Sequence, residues 1–474
     1  RFGILKCLEK NIQNMKHFKQ INRTFFVLLI AFCASCSCSK DSKKGGNTST
    51  PKPPVEKNRP MEFASDDAFL DYIQRSHLNY MWEGAEPNSG LAPERNHMDV
   101  PSDDAHIVTT GGSGFGIAGL LVGVERGFIP RAQAVERFTK IVTFLEKADR
   151  YHGVWSHWID GRTGKTKPFG QKDNGGDLVE SAFLMQGLLC VRQYFKDGND
   201  TEKALASRID KLWREMEWDW YLNGQDVLYW HWSPDYDWQM NFPLKGYNEC
   251  LITYILAASS PTHTIPASAY HNGWARGGAI KSTQVTYNLP LILKHNFAEQ
   301  YGGPLFWAHY SYIGLNPKGL SDDYANYWDL NRNHTLINYK YCLENPKGYK
   351  GYGANCWGLT ASYSVKGYSA HSPSNDLGVI APTAALSSFP YTPQESMAAL
   401  KHFYYDLGDT IWGKYGFYDA FSEQAVWYPK RYLAIDQLTI APMIENHRTG
   451  LIWKLFMSCP EVQQGLKKLN FKVQ

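Results

Sequence analysis

Two segments of this chain are apolar on nearly every face of a helix. Residues 248–258 read NECLITYILAA, and residues 177–190 carry polar groups mainly in their first turn. A helix with no polar stripe has to be surrounded by protein on all sides. Other segments have the opposite character. In 131–149, Ala134, Val135, Phe138, Ile141, Val142 and Leu145 recur at steps of three and four, and Pro130 stands where a first turn tolerates it. Patterns of one kind or the other cover 66–82, 115–126, 131–149, 177–195, 201–219, 248–258, 322–343, 376–387, 393–406 and 436–457. Amphipathic helices wrapped around apolar ones predict an all-α fold, a toroid of helical hairpins. Alternating βαβ units are not evident, and β-like runs such as 226–232 are short.

The chain divides into three parts. Met15 is followed by Lys16, Lys19 and Arg23 and then by an apolar run from Phe25 to Phe32. That run falls short of the ~20 residues that span a bilayer, and the pattern predicts an export signal. Small residues then lead to Cys36, the residue expected to carry a lipid. Residues 1–38 are thus read as an upstream extension and lipoprotein-type signal peptide, with 1–14 expected not to belong to the natural protein. Residues 39–60, rich in Ser, Lys, Gly, Thr and Pro, read as a flexible linker. Residues 61–474 form one domain. The expected location is periplasmic or on the outer membrane, with a monomer touching the membrane only through its lipid.

The formal charge of +3 hides an asymmetry: residues 1–60 hold 12 Lys+Arg against 3 Asp+Glu, a net of +9, which leaves 61–474 at −6. The domain is mildly acidic and lacks a basic run, which excludes nucleic acid as a partner. Five of the nine cysteines lie in the domain, far apart and without a CxxC, so neither a zinc ribbon nor a disulfide framework is expected. The 15 histidines form no HExxH and no tight His/Asp cluster, and no GxSxG occurs. No catalytic metal, cofactor or Ser-His-Asp triad is therefore expected. Gly114-Phe115-Gly116-Ile117-Ala118-Gly119 matches GxGxxG, but a dinucleotide site needs a preceding strand and a βαβ unit, whereas 131–149 is another helix. Close packing of small residues explains those glycines.

Carboxylates gather where the apolar helices begin. Asp173, Asp177 and Glu180 fall within eight residues, with Gly175-Gly176 placing Asp173 in the preceding loop. An Asp at an N-cap with Glu three residues later also resembles a capping box, which would steady the helix without any chemistry. Glu249 opens the second apolar helix, where a charge is likewise favourable for structural reasons alone. In a helical toroid two such helix mouths can open on one cavity, the arrangement a hydrolase needs. Aromatic residues are abundant, with 16 Trp, 29 Tyr and 23 Phe. Many sit in loops, and Trp155, Trp158, Trp232, Trp238 and Trp307 are candidates to stack on the apolar faces of sugars.

Five long motifs carry a resemblance to a known family: GGSGFGIAGL (111–120), KDNGGDLVESAFLMQGLL (172–189), WSPDYDWQMNFPLKGYNECLITYILAASSPTH (232–263), YGANCWGLTAS (352–362) and KYGFYDAFS (414–422). The chain resembles the bacterial glucoamylase-like family, glycoside hydrolase family 144, the β-1,2-glucanases. The resemblance implies an (α/α)6 barrel, β-1,2-glucan or its oligosaccharides as substrate, hydrolysis with inversion, and no cofactor. It also implies that Asp173, Asp177, Glu180 and Glu249 line the catalytic pocket, with Asp436 as a possible base. Acids three or four apart on one helix have Cβ atoms ~5–6 Å apart, near the ~5–5.5 Å of retaining enzymes, whereas inversion needs ~6.5–9.5 Å. Partners on different elements are then required, with Glu249 as general acid. Endo cleavage and exo release of sophorose both fit. Rival readings are a non-catalytic glycan-binding lipoprotein and a polysaccharide lyase on a similar toroid, the latter requiring cations at the site.

Overall fold

The computed structural model describes residues 59–100 and 102–474. The proposed signal peptide, Cys36 and most of the proposed linker lie outside the described residues. The folded part starts slightly before the expected boundary at 61. Arg59 is buried, with its guanidinium donating to the Tyr404 carbonyl and to Asp409 Oδ1 at 2.5 Å.

Outer and inner helical elements alternate along the chain. Helix α1 (Asp66–Trp82) turns Phe69, Leu70, Ile73 and His77 inward, and α2 (Thr110–Glu125) is buried through Gly123. Helix α3 (Arg131–Leu145) is amphipathic, and α4 (Leu178–Phe195) is buried from its first residue to Arg192. Helix α5 (Asp200–Arg214) starts with a capping box between Asn199 and Glu202, and α6 (Leu251–Ser259) is buried at every position. The fourth pair lacks regular α-helix: an irregular helical stretch over 269–278 precedes a buried turn at Leu305–Ala308. The fifth pairs α7 (Tyr327–Glu344) with α8 (Pro382–Leu386). In the sixth, α9 (Pro393–Lys401) and α10 (Gly408–Ile411) precede α11 (Ala434–Gln437) and α12 (Ile440–Arg448). Six such pairs make the (α/α)6 toroid. Helices α13 (Leu451–Met457) and α14 (Pro460–Lys468) then pack on α4 and α6.

The ring closes between its first and last pairs. The strand Arg95–His97 pairs antiparallel with Arg431–Leu433, and Arg126 at the end of α2 donates to both oxygens of Glu445 on α12 at 2.8 and 3.0 Å. Arg448 reaches Asp71 at 2.6 Å, across 377 residues of sequence. The GxGxxG letters lie inside α2. A Cβ on Gly114 would stand 2.2 Å from the Phe183 carbonyl, and one on Gly187 would stand 2.1 Å from the Gly114 carbonyl. Glycine is needed there because the backbones of α2 and α4 touch.

Several helix bounds differ from expectation. Helix α2 begins five residues before 115, because its first turn is glycines and hydroxyls with no apolar period. The segment 436–457 is broken, with Gly450 in a left-handed conformation separating α12 from α13. Helix α6 starts at Leu251 rather than 248, which leaves Glu249 in the preceding turn. No helix among the described residues is long and apolar enough to cross a membrane.

Candidate active site

Three carboxyl groups from three chain segments line one cavity of about 350 Å³. Glu180 arrives on the first turn of α4. Glu249 sits in the turn before α6, where its carbonyl accepts from Ser311 Oγ at 2.5 Å. Glu94 stands beside the strand that closes the ring; its N–H donates to the Ile107 carbonyl at 2.8 Å and its carbonyl accepts from Ala434 N at 3.0 Å. Around them stand Trp158, Phe169, Trp230, Phe306, Tyr310, Tyr363 and Tyr368. Phe169 packs against His157 and Trp158 with ring centroids 4.3 and 4.7 Å apart.

Asp177 is the N-cap of α4, with Oδ1 accepting from Val179 N at 3.1 Å and Glu180 N at 2.9 Å. Glu180 does not complete a capping box. Its Oε2 instead accepts from Gly111 N at 2.8 Å, at the start of α2. The other oxygen of Asp177 faces His157 Nδ1 at 3.0 Å and His231 Nε2 at 3.6 Å, while Asp173 Oδ2 faces His231 Nε2 at 3.3 Å. A His/Asp cluster therefore exists, contrary to expectation from sequence. It forms because the strand Gly176–Asp177 pairs with His231–Trp232 and brings distant residues together.

The charges in this cluster are mutually set. Burial opposes charge on His157, but Glu180, Asp177 and Asp173 outweigh it and lift its pKa to about 10. Burial likewise opposes charge on Asp177, yet the bond from His157 and the charge of His231 hold its carboxyl below the usual range. Asp173 is raised, by burial first and then against the pull of His231. His157, Asp173 and Asp177 offer ligand atoms within 4.8 Å of one another, so the group could hold a metal. An imidazolium at His157 supplies that positive charge without one.

The cavity acids differ in what surrounds them. Burial lifts Glu180 to about 7, with His157 pulling the other way and Asp177 adding to the rise. Burial also lifts Glu249 to about 7, opposed by its own backbone N–H, aided by Asp177 and opposed by the Trp307 indole. Glu94 is raised by burial against His157, Trp158, Arg95 and Thr109. His157 thus serves Glu94 and Glu180, whereas no cation stands among the chief influences on Glu249. Arg95 lines the cavity but its Nε is bonded to Asp104 at 2.6 Å, away from the substrate role a lyase would give it.

Of the expected site residues, Glu180 and Glu249 line the cavity, and Asp173 and Asp177 stand behind them beside His231, while His157 of the same cluster reaches the lining. Asp436 is not on the lining. It lies behind Tyr310, whose hydroxyl donates to its Oδ1 at 3.1 Å. Burial and the neighbouring Asp419 carboxyl hold the Asp436 carboxyl well above the usual carboxylate range. Glu94, His157 and His231 were not foreseen, although His157 lies between Trp155 and Trp158 and His231 directly precedes Trp232, tryptophans that the sequence marks as candidates. Of the tryptophans, Trp158 lines the cavity and Trp307 turns its indole toward Glu249. Trp155 is fully buried, its Nε1 bonded to the Leu145 carbonyl at 3.1 Å, so it is core rather than a sugar platform. Trp232 and Trp238 belong to a separate aromatic group with Trp220 and His152, outside the cavity lining.

A helical toroid that gathers carboxyl groups and aromatic rings at one mouth defines a carbohydrate-processing protein of the (α/α)6 class. Residues 241–460 match the family model "Glycoamylase: Putative glucoamylase". An endo-β-1,2-glucanase from Chitinophaga pinensis, solved with sophorotriose and glucose, is 64% identical, with 86% of this chain and 99% of that one covered and a TM-score of 0.85. A β-1,2-glucanase structure from Parabacteroides distasonis is 46% identical over 87% of this chain and 60% of that one, with a TM-score of 0.81. A curated exo-β-1,2-glucooligosaccharide sophorohydrolase of the same organism is 47% identical over 86% of this chain; the match spans 58% of that relative's length. The chain belongs to the bacterial glucoamylase-like family, glycoside hydrolase family 144.

Proposed function

We propose that this protein hydrolyses β-1,2-glucan with inversion, Glu249 acting as general acid and Glu180 as base. One observation carries the reading: carboxyl groups from different inner helical pairs face one aromatic cavity in unlike electrostatic surroundings. Burial lifts both Glu249 and Glu180 to about 7, so the roles are assigned by their neighbours: Glu249, with no cation among its chief influences, is the one that gives its proton to the glycosidic oxygen. Glu180 faces the His157 imidazolium, which favours the ionised form that activates water, and Glu94 shares that charge. The Gly111 N–H fixes the Glu180 oxygen. Phe169, Trp158 and Trp230 offer flat faces to the sugar rings.

The substrate class rests on the names of the relatives, and the 64% identity over nearly the whole of an endo-acting one favours internal cleavage over release of sophorose. Incubation with linear β-1,2-glucan, followed by chromatography and anomeric NMR of the first products, tests this. A range of oligosaccharides born as the α-anomer is expected. Exclusive sophorose would convert the reading to exo action, and activity only on β-1,3-, β-1,4- or α-1,4-glucans would overturn it. We further propose, from the export signal and small residues before Cys36, that the protein is a periplasmic or outer-membrane lipoprotein acting as a monomer.

A further inference from the structure

Away from the cavity, three segments bring together a cysteine, a histidine and a glutamate. Cys356 Sγ, a ring nitrogen of His402 and a carboxylate oxygen of Glu423 all lie within 4.8 Å of one another. Cys356 is a buried free thiol in the loop after α7, His402 follows the last residue of α9, and Glu423 lies in the turn after Phe421. None of the three lines the catalytic cavity.

The surroundings are arranged around this trio. His402 Nδ1 is paired with Asp406 Oδ2 at 2.7 Å, one helical turn on. A carboxylate on one ring nitrogen fixes the imidazole and leaves Nε2 open, which is the outer-shell pattern of metal-bound histidines. Gly351, at φ +91, leaves room for the Glu423 carboxylate, because a Cβ there would stand 2.4 Å from Oε1. Lys350 N donates to Gln424 Oε1 at 3.0 Å, and Ala425 N to Ser422 Oγ at 3.1 Å, so the loop and the turn are held in register. His402 and Glu423 are only partly buried, which leaves a path for an ion and a place for water.

We propose that Cys356, His402 and Glu423 bind one zinc ion as a structural clip. Sulfur, imidazole and carboxylate together match zinc's borderline preference, whereas calcium and magnesium take oxygen sets. A thiolate and a carboxylate neutralise a divalent ion, and a water completes four-coordination. Binding displaces the thiol proton to solvent, so affinity falls with falling pH. The ion fastens the 345–358 loop to the end of α9 and to the 422–427 turn, away from the cavity lining.

The test uses the whole purified chain, stripped with a chelator and then titrated with zinc. Elemental analysis is expected to show one zinc per chain, with Tm rising by several degrees and turnover on glucan unchanged. Cobalt in place of zinc should give a thiolate-to-cobalt charge-transfer band. That band should vanish in Cys356→Ser, and binding should weaken ~10–100-fold in Asp406→Asn, which touches the metal only through His402. If Cys356→Ser does not fold, His402→Gln at a partly exposed position decides by the same readouts. Failure of the wild-type chain to bind zinc stoichiometrically would overturn the proposal, as would unchanged affinity in both Cys356→Ser and His402→Gln, which would place any ion elsewhere, as at His157.

Discussion

The N–H of Gly111 donates to Glu180 Oε2 at 2.8 Å, and a Cβ on Gly111 would stand 2.3 Å from that same oxygen. The glycine is required for space: any side chain pushes the carboxylate away from the donor that holds it. Gly111→Ala should therefore cost on the order of 10²-fold in kcat, the penalty for ~1 Å of misplacement, with ~1–3 kcal/mol of stability lost to overpacking. Steady-state kinetics beside thermal melts check this. Wild-type turnover in the variant would show that Glu180 needs no such hold.

Glu249 links activity and stability to pH with opposite consequences. Its carboxyl is raised from 4.5 to about 7, so the folded state holds the proton more tightly than the unfolded chain. The sign follows: ionising it destabilises the fold, with no cost below about 4.5, a growing cost up to about 7 and a constant one above. Glu249→Gln should match the wild type in Tm at pH 4 and exceed it at pH 8, while losing at least ~10² in rate. A helix-end charge of purely structural value would give the reverse, a lower Tm at pH 8 and nearly full activity.

Asp177→Asn separates capping from charge. Asn caps as well as Asp, but its NH₂ would meet the His157 N–H where a carboxylate oxygen now accepts it. A donor facing a donor costs ~1–3 kcal/mol, more than a cap exchange. His157 should then titrate well below its present value of about 10. In the wild type the stability from charged His157 is complete below its ordinary 6.5 and disappears as pH rises through about 10. NMR titration of the imidazole reads the change directly. An unaltered His157 titration would deny the pairing any electrostatic role.

The five tryptophans should divide by position. Trp158→Ala, at the cavity, should raise KM with little change in Tm. Trp155→Ala should cost ~3–5 kcal/mol of stability, because it empties a fully buried site. Trp238→Ala should leave KM for short oligosaccharides within about twofold. A KM defect in Trp238→Ala equal to that of Trp158→Ala would extend the substrate path to the outlying aromatic group.

Labelling of expressing cells with a fatty-acid analogue should mark the protein through Cys36, and Cys36→Ser should abolish the label. An unlabelled, freely soluble mature protein with Cys36 intact would remove the lipoprotein proposal and leave the enzyme untouched.

What the sequence made legible follows from what is local. Helix α1 runs over the residues its periodicity marks, and the convergence of Glu180 and Glu249 could be anticipated because both sit at the starts of helices too apolar to lie anywhere but inside. Glu94 gave no such sign. It lies in a non-periodic stretch, LAPERNHMD, and owes its place to the pairing of Arg95–His97 with a strand near the far end of the chain. His157 and His231 were visible as letters between aromatic residues, yet only the fold joins them around one aspartate, His231 through its pairing with the Gly176–Asp177 strand and His157 through its ring nitrogen at Asp177 Oδ2. The motif around Trp155 and Trp158 shows the limit of reading composition. Two residues of the same type, three apart, point one into the core and one into the cavity.

The closure of the ring also sets an order of assembly. Residues 431–448 supply the partner of the strand beside Glu94, the N–H that meets its carbonyl, and the helix that seals α1 against α2. A growing chain therefore carries α2 and α4, each apolar all round, for most of its synthesis without the wall that covers them. Such non-local closure is slow, and until it happens the exposed surface invites aggregation. The wall beside Glu94 is complete only once residues 431–448 are in place, so a chaperone that keeps the chain open also keeps the cavity unformed.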